Sequence, residues 1–229
     1  MKILAIGAHP DDIEIFMYGL LAKCKNRGDQ IDMIVVTDGA AGNVKINKNL
    51  KAIRKKETCN GLKNLGKPVF FDLPDGKLSN NCNAPELIEN YLKKLKPDLV
   101  VTHSPEDYHP DHRALSKFVS ECVGFKCGLI FSDTLMGVNF NPQIYIDISD
   151  VFEHKKKAIS CHVSQRPEKF LNAVKIWNRF RSSQCNGPDS TFAECYRLSQ
   201  TFPFVDIRSI LPAQPKFRPF YSSKSVGLI

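Results

Sequence analysis

Nowhere in its 229 residues does the sequence offer a run approaching the ~20 apolar side chains that a membrane helix needs, so no integral membrane segment is expected. The apolar start Met1–Ala8 stops at His9-Pro10-Asp11-Asp12, too early for the core of a signal peptide, and a cytoplasmic location is the expectation. Eight cysteines are scattered without one C-x-x-C pair. A structural four-cysteine zinc site is therefore not expected, and reduced thiols fit better than a disulfide frame. No G-x-G-x-x-G follows the first apolar run, which argues against dinucleotide binding. No zinc-finger spacing, aromatic RNA-binding signature or base-reading basic helix is present, so no nucleic-acid partner is expected. Repeats and low-complexity tracts are missing too.

Acidic charge is scarce in one region only. Residues 1–150 balance 19 basic against 19 acidic side chains, whereas residues 151–229 carry 13 against 5, the source of the net +8. That surplus suits an anionic small-molecule partner, and it equally suits a lysine-rich solvated face.

What remains is a globular composition, 42% hydrophobic and 24% charged, of a size for one domain. Lys2–Ala8, Ile31–Thr37, Val69–Phe71, Leu99–Thr102 and Leu129–Ser132 read as short buried strands. Between them Asp11–Arg27, Asn49–Leu65, Ala84–Leu95 and Asp111–Val123 read as helices. Alternating strands and helices predict an α/β fold, a Rossmann-like, doubly wound, mostly parallel sheet with helices on both faces. Gln143–Ile148 predicts a further strand, Val151–Cys161 and Pro167–Arg181 basic helices, and Pro203–Pro219 an extended stretch. The chain thus divides into a 1–137 core and a smaller 138–229 C-terminal α/β elaboration covering the site, within one 1–229 domain.

Two strings stand out: His9-Pro10-Asp11-Asp12 and His109-Pro110-Asp111-His112, each at a strand-to-helix handover. Proline suits the first helical position, which puts the carboxylates in the positive first turns. The strings follow strands one and four, neighbours at the point where a 3-2-1-4-5 order reverses, so both would face one cleft. Two histidines and a carboxylate make a catalytic zinc shell, a second carboxylate can act as base, and a further histidine as acid. The same triad also serves non-haem iron oxygenases. Each string alone is equally read as a capped helix start.

Ala8 through Glu14 with His109-Pro110-Asp111-His112 resembles the PIG-L/LmbE-like zinc-dependent N-deacetylases. The likeness extends through Thr37-Asp38-Gly39, Arg54, Glu57, Leu73-Pro74-Asp75-Gly76, Lys157, His162-Val163-Ser164-Gln165 and Phe192-Ala193-Glu194. It implies zinc on His9, Asp12 and His112, and Asp11 as the general base for the zinc-bound water. It further implies His109, oriented by Asp111, as oxyanion stabiliser and acid, and Arg54 as a substrate contact. The implied substrate is an N-acetylglucosamine-type amino-sugar conjugate. Family members often carry Gly-x-Gly-Gly where this chain has Phe16-Met17-Tyr18-Gly19, which bears on the floor of the site. A non-catalytic sugar-binding module of the same fold is the other alternative, and the size is compatible with a homo-oligomer.

Glu14 reads either as a first-turn acid or as a partner of the metal ligands; His103 as a strand-end residue; His154 and His162 as structural; Trp177 as the inner face of a helix.

Overall fold

The computed structural model describes residues 1–42, 49–200, 211–213 and 215. Apart from 211–213 and 215, the Pro203–Pro219 stretch lies outside them. The strands are β1 (Lys2–Gly7), β2 (Gln30–Thr37), β3 (Val69–Leu73), β4 (Leu99–Thr102), β5 (Gly128–Ser132), β6 (Ile144–Asp147) and β7 (Ala193–Leu198). They form one sheet in the order β3-β2-β1-β4-β5-β7-β6, the first five parallel and β7 antiparallel to both its neighbours. Ile3 sits at the centre, in register with Ile31 on one side and Leu99 on the other.

Burial on both faces explains the unbroken apolar runs. Along β1, Ile3 and Ala5 point into one core and Leu4 and Ile6 into the other. The helices are α1 (Asp12–Phe16), α2 (Tyr18–Asn26), α3 (Leu50–Gly61), α4 (Asn83–Leu95), α5 (Pro110–Val123), α6 (Phe152–Ser160) and α7 (Pro167–Gln184). Ile88 and Leu92 of α4 pack with Leu115 and Val119 of α5 on one face. Leu20 of α2, Ile159 of α6 and Val174 and Trp177 of α7 pack on the other. Among the described residues no helix is long and apolar enough to cross a membrane.

Two elements depart from the sequence expectation. The single helix expected over Asp11–Arg27 is broken at Met17 (φ −133°, ψ −9°). The break turns the Gly19 and Leu20 N–H groups onto the buried Glu194 carboxylate, each at 2.8 Å. Glycine is required there, because a Cβ at Gly19 would lie 2.4 Å from Ile148 Cγ2 and 2.8 Å from Glu194 Oε1. Glu194 sits on β7, the strand with no sequence expectation. It also accepts from Lys155 Nζ (2.7 Å) and Tyr196 Oη (2.6 Å), while Lys155 reaches Asn178 Oδ1 at 3.1 Å. The later segment is thus clamped onto the α1–α2 junction by a buried, hydrogen-bonded ion pair.

Candidate active site

β1 and β4 are neighbours, and the loops after them meet at the carboxyl edge of the sheet, where the strand order reverses. Asp11 and Asp12 open α1, and Pro110 and Asp111 open α5. His109 is the N-cap of α5: its extended backbone (φ −81°, ψ 129°) lets Nδ1 accept the Asp111 N–H at 3.2 Å. With Nδ1 so used, the proton of the neutral ring lies on Nε2.

His9, Asp12 and His112 converge. His9 Nδ1 and His112 Nε2 are 3.2 Å apart, His9 Nδ1 is 3.3 Å from Asp12 Oδ2, and His112 Nε2 is 3.3 Å from Asp12 Oδ1. A tetrahedral ion with bonds of about 2.0–2.1 Å sets its ligand atoms about 3.3 Å from one another, so the donors fit zinc in kind and in spacing. The field fits as well. Burial pushes both imidazoles down, yet the surrounding carboxylates win: His9 is held well above its ordinary value and His112 up at about 9. A pocket that protonates buried imidazoles is one that favours a cation. His109 also lies within reach of the two histidines, and Asp12, His103 and His112 form another tight group. The His103 and His112 rings, however, are stacked at 3.7 Å and 14°, an arrangement that cannot aim both lone pairs at one ion.

A ring of acids orients these donors. Asp107 Oδ1 is 3.1 Å from His112 Nδ1 and accepts the His109 N–H at 2.9 Å. His9 Nε2 faces Asp75 Oδ1 at 3.2 Å and Asp111 Oδ2 at 3.3 Å. Carboxylates on the far nitrogens fix tautomer and ring orientation in metal sites. The Asp111 carboxylate therefore faces His9, with the Gly76 and Leu78 N–H groups completing its shell at 2.7 and 3.1 Å, while its backbone N–H is what bonds His109. His103 Nε2 lies 3.0 Å from Asp12 Oδ2 and 3.2 Å from the Ala8 nitrogen, so its tautomer decides which of the two it serves.

Asp11 stands beside the donors with a positive φ of 117°, a conformation costing a non-glycine residue on the order of 1–3 kcal/mol and found where function demands it. Arg54 holds it: Nη2 lies 3.1 Å from Asp11 Oδ2 and donates to Pro10 O at 2.5 Å, and Nη1 donates to Gly39 O at 2.9 Å. Gly39 (φ 65°) leaves that space open, since a Cβ there would lie 2.8 Å from both Arg54 Nη1 and Pro10 Cδ. Burial raises the Asp11 carboxyl above the usual range although Arg54 opposes it, the right direction for a base. Arg54, expected as a substrate contact, borders the cleft but is 3% exposed and engaged with its own chain.

The cleft encloses about 370 Å³. Asp11, Asp75 and His109 line its polar side, and Ile15, Phe16, Leu135 and Phe170 an apolar side. Glu57 accepts from the Ser164 N–H (2.8 Å) and hydroxyl (2.6 Å), which places the following Gln165 in the cleft. Glu14 pairs with buried His162 at 2.7 Å, away from the donors, while His154 is exposed. Sequence reasoning missed Asp107 and underweighted His103 and Asp75. Only the Pro74-Asp75-Gly76 match pointed at the last.

A buried two-histidine, one-carboxylate cluster with a further carboxylate beside it, at the switch point of an α/β sheet, is a layout suited to hydrolysis. The profile of the PIG-L family, GlcNAc-PI de-N-acetylase, matches residues 4–123, and the chain belongs to that family. It is 29% identical over 201 residues to the diacetylchitobiose deacetylase of Thermococcus kodakarensis, covering 78% of this chain and 74% of that one. The N,N'-diacetylchitobiose deacetylase of Pyrococcus horikoshii superposes with a TM-score of 0.74 at 26% identity, over 90% of this chain and 88% of that one. The 4-carboxy-2-hydroxymuconate hydratase of Pseudomonas putida superposes with a TM-score of 0.77 over 90% and 98%. At 19% identity it speaks for the fold alone.

Proposed function

We propose that this chain is a zinc-dependent hydrolase that removes the N-acetyl group from an N-acetylglucosamine-type sugar conjugate. The observation that carries the reading is Asp11, a strained and buried carboxylate set directly beside the His9–Asp12–His112 donors. His9 through Nδ1, Asp12, and His112 through Nε2 would hold the ion. Zinc bound there supplies Lewis-acid polarisation of the amide carbonyl and acidifies water.

The chain's own groups do the rest. Asp11 takes the proton of the attacking water, and Arg54 keeps its carboxylate aimed while lowering its charge penalty. His109 presents Nε2 toward the oxygen that gains charge, and in its protonated form gives a proton to the departing amine. Burial lowers the His109 pKa, which makes that proton easy to release. Asp111, counted among the catalytic residues from sequence, serves as a positioning residue for His9. The small cleft suits one sugar ring with its amide inside and the aglycone at the mouth. The basic surplus of residues 151–229 supports an anionic aglycone, which requires KM to rise with salt.

The test is acetate release from N-acetylglucosamine, its malate and inositol glycosides, diacetylchitobiose and UDP-N-acetylglucosamine, with chelation and zinc restoration. Asp11→Asn should abolish turnover with zinc still bound. Full activity in that variant overturns the reading.

A further inference from the structure

Part of the apolar cleft wall next to the metal donors is a phenyl ring, that of Phe16. Phe16 is buried, edge-on to His112 at 5.9 Å between centroids and to His103 at 5.5 Å. Trp177 stands behind it, edge-on at 5.8 Å. The indole cannot slide, because Nε1 donates to Asp133 Oδ2 at 2.9 Å. Asp133 is in turn gripped by Arg181, through Nε at 2.6 Å and Nη2 at 3.0 Å. All three supporting residues are buried. On that side the ring is backed by a buried, hydrogen-bonded side chain.

An amide held at the His9–Asp12–His112 donors has two ends. Its nitrogen must reach a proton, and His109 offers one from the half-buried side of the cleft. The acyl substituent then runs the opposite way, toward Phe16 and the apolar surface that Ile15 continues. We propose that Phe16 determines acyl-chain length: it closes the acyl side of the cleft after a methyl group, so that acetyl fits and longer acyl groups do not. This inference rests on the amide-hydrolase reading of the site and adds to it a selectivity set by one side chain and its Trp177–Asp133–Arg181 backing.

The experiment measures binding of acetohydroxamate, butyrohydroxamate and hexanohydroxamate to the zinc-loaded protein by calorimetry, for the wild type, Phe16→Ala and Phe16→Leu. Forcing methylenes into a packed wall should weaken hexanohydroxamate about tenfold or more relative to acetohydroxamate in the wild type. In Phe16→Ala, which vacates the space of six ring carbons, the order should invert, with about fourfold tighter binding per added methylene. Phe16→Leu should fall between and keeps the test available if the alanine variant does not fold. Identical length dependence in all three proteins overturns the proposal, as does wild-type binding that tightens with chain length or fails for every hydroxamate with zinc in place. A wild type that discriminates by length but releases no acetate from any amino sugar keeps the Phe16 assignment and loses the proposed substrate.

Discussion

Replacing Glu194 by glutamine probes the clamp between β7 and the α1–α2 junction. The carboxylate, 3% exposed, accepts four hydrogen bonds: from the Gly19 and Leu20 N–H groups, from the Tyr196 hydroxyl and from Lys155. Burial and the adjacent carboxylate keep the Tyr196 phenol protonated, so it donates. Glutamine keeps the shape, but its NH₂ cannot accept, and Lys155 is left charged with Asn178 as its remaining partner among these contacts. Removing one member of a buried ion pair costs about 3–5 kcal/mol, because the other charge stays desolvated and unpaired. For a chain of this length that lowers Tm by roughly 6–20 °C. The double variant Glu194→Gln/Lys155→Met removes both charges and should recover at least about half of the loss, a coupling that urea denaturation resolves readily. A single variant within about 0.5 kcal/mol of wild type, or a double variant equal to the sum of the singles, would refute the clamp.

Other expectations concern the site. Asp107→Ala removes the carboxylate behind His112 and should weaken zinc about 10–100-fold in competition with a chelator; an unchanged Kd would exclude the orienting role. Arg54→Lys loses the two-pronged grip on Pro10, Gly39 and Asp11, and kcat should fall about 100-fold. Because the Arg54 charge lowers the Asp11 pKa, Arg54→Gln, which removes that charge, should move the acid limb of the rate profile to higher pH; an unmoved limb counts against this pairing. Asp75, Asp107 and Asp111 resist the upward push of burial through His9, His112 and backbone N–H groups, and are held below their ordinary values. Each folded pKa lies below the unfolded one, so their stabilisation is present above about pH 4 and is lost as pH falls through the folded values. Urea midpoints of the metal-free protein should drop below about pH 4, and a flat profile down to about pH 2.5 would contradict the assignment.

Most of the first five strands were legible because a parallel strand buried on both faces is written as a continuous apolar run, as in Met33–Val36, whereas β3 at the sheet edge is only partly buried. The two histidine strings were legible because proline and acid residues mark a helix start so plainly. β7, Ala-Glu-Cys-Tyr-Arg-Leu, was not, since its buried Glu194 breaks the apolar pattern and becomes intelligible only beside Lys155 and the amides of α2. The Met17 break was hidden for the same reason: its cause lies 175 positions away from Gly19. Asp107 and the stacked His103 carry no local periodicity or motif. Their importance comes from His112, a proposed metal donor that the fold, not the chain order, sets against them.

The place of β7 in the sheet has a consequence for how the molecule comes into being on the ribosome. β5 is made early, but its outer edge stays open until β7 arrives from far later in the chain and pairs with it. The nascent core must therefore wait with an unpaired strand edge and with α1, which carries Asp12 and Phe16, not yet fastened by Glu194. Chain elongation at about 5–20 residues per second makes that wait a matter of seconds. The candidate pocket is then completed only once β7 has emerged, although the proposed metal donors His9, Asp12 and His112 are all translated before β5.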